Sequence, residues 1–170
     1  METMARVRAL LLDVDGVLTT GEITYDAEGR EIKSFYVRDG LGIRLLHLAK
    51  IPVGVITGRA SAALRHRLDN LNIIHLAEGV WNKAEAVERM CGDMGVEPGQ
   101  AAFVADDLLD VGGLETCGVP LAVADAHPEV IARAAAITRS PGGRGAVREI
   151  CEALLKSQGL WEQVVGKLGA

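Results

Sequence analysis

Short apolar runs alternate along this chain with stretches of helical periodicity. Strand-like runs lie at Ala9–Leu12, Val53–Ile56, Ala101–Val104, Pro120–Ala124 and Ala136–Thr138. Apolar positions recur at helical spacing over Gly42–Ala49, Ala62–Leu71, Lys83–Met94, Glu129–Ala135 and Ala146–Gln158. Runs such as VGVIT and AAFVAD are apolar at successive positions, so they predict strands covered by helices on both faces. Strand followed by helix, repeated, predicts right-handed βαβ units and an α/β fold with a parallel sheet. One stretch breaks the rhythm. Residues 20–37, TGEITYDAEGREIKSFYV, read as two β-rich arms around the turn DAEG, a hairpin projecting from the sheet. No repeat, low-complexity tract or linker interrupts the chain, which predicts one domain over 1–170. The tail after Gly159, LWEQVVGKLGA, is short and glycine-punctuated and gives little reason to expect order.

Composition narrows the function classes. Hydrophobic residues make up 49% but aromatics only 4%, so the core is expected to be aliphatic. A net charge of -5 argues against a general nucleic-acid binder. No apolar stretch approaches the roughly 20 residues that cross a bilayer, so no membrane partner is expected. The start, METMARVRALLLDVDG, runs straight into acid-bearing strand sequence, which argues against a signal peptide. Cys91, Cys117 and Cys151 are odd in number, far apart and without a CxxC pair. They read as buried reduced thiols in a cytoplasmic protein.

The candidate chemistry lies where the apolar runs stop, because open α/β sheets bind ligands outside the carboxyl ends of their strands. Asp13 and Asp15 follow the first run, Thr57-Gly58-Arg59 the second, and Asp106, Asp107 and Asp110 a later one, while Lys83 opens a helix. These positions are expected to converge on one rim. Aspartate is a poor strand former and is costly to bury unpaired, so a cation is expected there. An all-oxygen carboxylate set suits a hard divalent ion, Mg2+ above all where phosphate is handled. Asp13 then reads as a nucleophile toward phosphorus and Asp15 as the acid that protonates the leaving oxygen and later deprotonates water. Lys83, the Thr57 hydroxyl and the amides around Gly58 would neutralise the phosphoryl oxygens. Asp106 would complete the metal shell, with Asp107 or Asp110 ordering it from behind. GGRG at 142–145 reads equally as an anion cradle and as a plain helix entry, with Arg144 as its candidate substrate contact.

DVDGVLT, ITGR, the lysine of GVWNK and ADDLLD, in this order, resemble the four motifs of haloacid dehalogenase-type phosphatases, over nearly the whole chain. The hairpin, KSFYVRDGLGI, VADAHPEVI and GGRGAVREIC are further similar to the 3-deoxy-D-manno-octulosonate 8-phosphate phosphatases. That resemblance implies a Rossmann-like core without a cap domain and a Mg2+-dependent homotetramer. It implies hydrolysis of a phosphorylated sugar acid in the supply of lipopolysaccharide. It also implies Asp13 as nucleophile, Asp15 as acid/base, and Thr57 and Lys83 on the phosphate. Mg2+ would sit on Asp13, the backbone carbonyl of Asp15, and Asp106. Similar enzymes act on a nonulosonate 9-phosphate and carry an acid after the ITG motif. This chain has Arg59 there, which suits the octulosonate branch, with Arg67 one helical face further on as a second holder of the substrate carboxylate.

Two departures from the family pattern stand out. Ala105 replaces the usual glycine before Asp106, and is expected to crowd the backbone near the metal. VGGLETCG replaces a bulkier helix start, and its paired glycines predict a weak helix. An open site cannot exclude water by closing a lid, so subunits are expected to cover each other, with hairpins and C-terminal tails at the interfaces. Competing readings are poorer. An EF-hand loop would need a later glycine and a glutamate where Thr24 stands. A phosphate-accepting signalling receiver would need an aspartate where Thr57 stands. A catalytically silent binding module has only Ala105 in its favour. His47, His66, His75 and His127 form no metal-binding pair and read as packing or surface residues.

Overall fold

The computed structural model describes residues 2–168. In chain order its elements are α1 (Glu2–Ala5), β1 (Ala9–Leu12), β2 (Thr24–Tyr25), β3 (Glu31–Ile32), α2 (Val37–Leu48), β4 (Val53–Ile56), α3 (Ala62–Leu71) and β5 (His75–Ala77). They continue with α4 (Lys83–Met94), β6 (Ala101–Ala105), α5 (Val111–Thr116), β7 (Val119–Ala122), α6 (Pro128–Ile131), β8 (Ala136–Ile137), α7 (Ala146–Ser157) and α8 (Trp161–Gly166). Six strands form one parallel sheet in the order β5-β4-β1-β6-β7-β8. β1 lies between β4 and β6, with Leu10 opposite Val53 on one side and Ala102 on the other. Helices flank the sheet; α4 packs beside α5, and α2 beside α7. Leu10, Leu11, Leu12 and Phe103 are wholly buried in a core that is otherwise almost entirely aliphatic. From β1 the chain winds outward through β4 and β5, then returns to β6 on the opposite side. That reversal opens a crevice beyond the carboxyl end of β1.

Several elements differ from the expectation drawn from pattern alone. α2 begins at Val37, five residues earlier than its periodicity suggested. Gly40 and Gly42 lie inside it, and glycine is a poor helix former. Both face close neighbours: a Cβ on Gly42 would press at 3.2 Å on the Arg148 backbone and Cys151 of α7, and one on Gly40 would displace the Arg67 guanidinium. Asp39 accounts for the rest. It is buried and accepts hydrogen bonds from the amides of Arg148 (2.8 Å) and Gly145 (3.3 Å), capping α7, whose own N-cap Gly145 has no side chain to do so.

β5 carried no readable signal because it is a three-residue, half-buried edge strand. α6 stops at Ile131, because the amide of Ala135 is drawn to the carbonyl of Pro120 at 2.8 Å and the chain turns into β8. The tail is more regular than expected: α8 buries Val164, and Trp161 receives the Lys156 ammonium 4.7 Å from its ring centre. Residues 169 and 170, the end of that tail, lie outside the described residues. The projecting hairpin is present, but β2 and β3 pair over two residues each, Thr24 with Ile32 and Tyr25 with Glu31. Among the described residues no helix is long and apolar enough to cross a membrane. The three cysteines are free and buried.

Candidate active site

The loop after β1 winds tightly on one carbonyl. The amides of Val17, Leu18 and Thr19 all donate to the Val14 oxygen, at 2.9–3.2 Å, while the amide of Asp13 extends the ladder to Val104 of β6. Gly16 turns this loop at φ +96, a conformation that side-chain-bearing residues rarely adopt. A Cβ there would also collide with the carboxylate of Asp106. Glycine is therefore what lets the Asp106 carboxylate lie against the backbone beside Asp15.

Asp13, Asp15, Thr57, Gly58, Arg59, Lys83, Asp106, Asp107 and Asp110 line one open cleft of about 270 Å3. Lys83, the first residue of α4, is buried at its floor. Its Nζ lies 2.5 Å from Asp13 Oδ1 and donates to the Ile56 carbonyl at 3.2 Å. It also lies 2.5 Å from Asp110 Oδ1, but that oxygen makes no hydrogen bond, so the contact is an ion pair of poor direction. Asp110 Oδ2 accepts from the amides of Asp106 (3.1 Å) and Asp107 (3.5 Å), which holds the loop after β6 in place. Asp107 is exposed and turned onto the amide of Leu108 at 2.7 Å, where it caps a short turn.

Electrostatics mark this cluster as incomplete without a cation. Oxygens of Asp13, Asp106 and Asp110 lie within 4.8 Å of one another. Burial first, then the charge of Asp110, raises the Asp13 carboxyl to about 7 despite the opposing Lys83. Burial and the charges of Asp13 and Asp110 raise Asp106 to about 8. For Lys83, burial alone would lower the ammonium's pKa, but Asp13 and Asp110 outweigh it and the group is held above its ordinary value. One lysine thus serves two buried carboxylates and a half-buried one. A hard divalent cation on oxygen ligands fits what remains.

Ala105 is the last residue of β6, wholly buried and paired with Ala122, away from the cleft. The paired glycines are a packing device as well as a weak helix start. A Cβ on Gly113 would press at 2.7 Å on the Phe103 ring and at 3.4 Å on Lys83 Cβ, so glycine lets α5 close behind the lysine.

Two arginines read as substrate contacts are placed elsewhere. Arg67 is absent from the cleft. It stacks 5.7 Å over Phe35 and lines a separate groove with Val37, Gly40, Leu41, Arg44 and Leu71. Arg67 points there because α2 packs against its helix, with Gly40 leaving room for the guanidinium. Arg144 is exposed and also absent from the cleft lining. The loop that carries it serves as a brace: the amide of Gly143 donates to Val17 (2.8 Å) and that of Gly142 to Asp125 (2.9 Å). A Cβ on Gly142 would collide with the Gly16 carbonyl. Arg59 does lie at the cleft, held by Glu31 (3.0 Å) and the Tyr25 hydroxyl (3.2 Å) of the hairpin.

One group escaped the reading of the sequence altogether. Lys33 of the hairpin reaches back and pairs with Asp15 Oδ1. Its signal was present only as alternation: in EIK, Glu31 and Lys33 share a face opposite Ile32.

A family model for haloacid dehalogenase-like hydrolases matches residues 68–150. The 3-deoxy-D-manno-octulosonate 8-phosphate phosphatase KdsC of Escherichia coli K12 is 45% identical over 161 residues, 95% of this chain and 86% of that protein. The crystal structure of the phosphatase of the same name from Yersinia pestis superposes with a TM-score of 0.92 at 42% identity, over 95% of this chain and 87% of that one. A third, from Moraxella catarrhalis, was crystallised with a magnesium ion, a phosphate ion and a KDO molecule. It superposes with a TM-score of 0.95 at 35% identity, covering 98% of this chain and 96% of that one.

Proposed function

The chain belongs to the 3-deoxy-D-manno-octulosonate 8-phosphate phosphatase family of haloacid dehalogenase-like hydrolases, and on that premise we propose that it hydrolyses this sugar-acid phosphate through a phosphoaspartate on Asp13. Asp13 attacks phosphorus while Asp15 gives a proton to the departing sugar oxygen. Asp15 then takes a proton from water, which attacks the phosphoaspartate and frees inorganic phosphate. Lys83 holds Asp13 in place and, with the Thr57 hydroxyl and the Gly58 amide, receives the phosphoryl oxygens. Mg2+ is the cofactor that fits the donor set. Asp13, the Asp15 carbonyl and Asp106 would hold it, with Asp110 ordering Asp106 through its amide. When bound it neutralises charge on the transferring phosphoryl group. Arg59, at the cleft mouth on a hairpin network, would meet a substrate carboxylate.

The observation that carries this reading is the meeting of Lys83, Asp13, Asp106 and Asp110, from three distant stretches, in one cleft. Phosphate release measured across octulosonate 8-phosphate, nonulosonate 9-phosphate and common hexose phosphates tests it. Octulosonate 8-phosphate is expected to have the highest kcat/KM, with Mg2+ required, and Asp13→Asn to lose about 10⁴-fold or more. Preference for another of these phosphates overturns the substrate. No turnover at all overturns the enzyme reading in favour of a silent module.

The same reading includes assembly and location. The site is open, and Ile23, Tyr25 and Ile32 of the hairpin are exposed, as is Trp81. These support a homotetramer in which hairpins and tails cover neighbouring sites. Three buried free thiols support a reducing, cytoplasmic setting.

A further inference from the structure

The side chain of Lys33 is only 2% exposed, although it stands in a short hairpin with open water close by. Burying an ammonium is costly unless carboxylates meet it, and here two do. Nζ pairs with Asp15 Oδ1, and Glu31 Oε1 lies 3.4 Å away. The second oxygen of Asp15 has no such grip: the nearest cation to Oδ2 is Arg59 Nε, at 3.9 Å, beyond hydrogen-bond distance. Arg59 is itself bound to Glu31 and Tyr25. β2, β3 and the loop after β4 therefore form one polar network whose inner end is the Asp15 carboxyl.

We propose that Lys33 is a positioning residue for Asp15, fixing Oδ1 so that Oδ2 is presented to the oxygens that exchange protons in the reaction. This rests on the reading of the chain as a phosphatase acting through Asp15. In the first half-reaction the Asp13–phosphorus bond forms, the bond from phosphorus to the sugar oxygen breaks, and the proton leaves Oδ2 for that oxygen. In the second, a water oxygen bonds to phosphorus, its proton passes to Oδ2, and the Asp13–phosphorus bond breaks. Both transfers need heavy atoms about 2.6–3.2 Å apart, a condition that a carboxylate pinned by one oxygen meets more often than one free to rotate. The hairpin then serves the chemistry of its own subunit.

The test measures kcat and KM for Lys33→Met and Lys33→Arg, each with and without Asp15→Asn, on octulosonate 8-phosphate and on p-nitrophenyl phosphate. Lys33→Met is expected to lower kcat/KM on the sugar phosphate about 10²-fold, with KM within about twofold. On p-nitrophenyl phosphate, whose phenolate departs without a proton, the loss is expected to stay under about threefold. Lys33→Arg recovers most of the rate, and in the Asp15→Asn background Lys33→Met adds no further loss. Equal losses in kcat/KM on both substrates would assign Lys33 to the fold of the hairpin and overturn the proposal. So would a change confined to KM, or a further loss beside Asp15→Asn. Failure of the phosphatase reading shows separately, as no Mg2+-dependent phosphate release by the unaltered chain from either substrate, and removes this inference with it.

Discussion

Asp13 and Asp106 carry protons at pH values where an exposed aspartate has none, because burial and neighbouring carboxylates (Asp110 for Asp13, Asp13 and Asp110 for Asp106) raise them to about 7 and about 8. In the unfolded chain both titrate near 3.8. Between those values the folded state binds more protons than the unfolded one, so the contribution of these two groups to stability falls as pH rises from about 4 to about 8. A divalent cation displaces the same protons. Mg2+ is therefore expected to raise the melting temperature more at pH 8 than at pH 5. Calorimetric Mg2+ titrations at pH 6.5 are expected to show proton release, read as a heat that depends on the buffer; a buffer-independent heat rejects this. Lys83→Met leaves Asp13 and Asp110 facing each other without a cation, and is expected to cost about 3–5 kcal/mol in metal-free urea unfolding. Mg2+ should restore part of that loss.

At the scale of elements, glycine does two opposite jobs. The loop 142–145 braces the loop that bears Asp13 and Asp15, and Gly142 touches the Gly16 carbonyl so closely that no side chain fits. Gly142→Ala is expected to destabilise by about 1–3 kcal/mol, as overpacking does, and to lower phosphate release more than tenfold by shifting Asp15. Gly92 sits within α4 with nothing around its would-be Cβ. Gly92→Ala is expected to stabilise by about 0.4–1 kcal/mol without changing turnover. Urea unfolding and phosphate release on both variants check the pair, and equal effects would remove the distinction between brace and filler. The helix read from Gly42 onward illustrates the same point. Gly40 and Gly42 look like breaks in a linear pattern, yet α2 runs through them because α7 and Arg67 lie against it.

At the scale of the molecule, β2 and β3 are too short to be stable as an isolated ribbon, and they carry Ile23, Tyr25 and Ile32 outward. Sedimentation velocity is expected to show a tetramer. Replacing Ile23 and Ile32 by Ser is expected to dissociate it and to lower turnover of the sugar phosphate. A monomer with full activity rejects the mutual covering of sites. The edge strand β5, with Ile74 exposed beside it, and the groove around Arg67 add apolar surface outside the cleft.

The alternation of apolar runs with helical stretches was enough to determine the parallel sheet, because strand and helix type depend on spacings of two to four residues along the chain. The ends of those runs likewise located Asp13, Asp15, Thr57 and Asp106, since a strand buried on both faces can change to polar residues only where it leaves the core. Tertiary structure alone decided which polar groups meet. Asp39 caps a helix more than a hundred residues away, Lys33 folds back onto Asp15, Arg67 turns onto Phe35, and Gly142 is glycine because the Gly16 carbonyl lies against it. Such pairings leave no local period in a sequence, because each depends on two surfaces that become neighbours only when the sheet and its helices have packed.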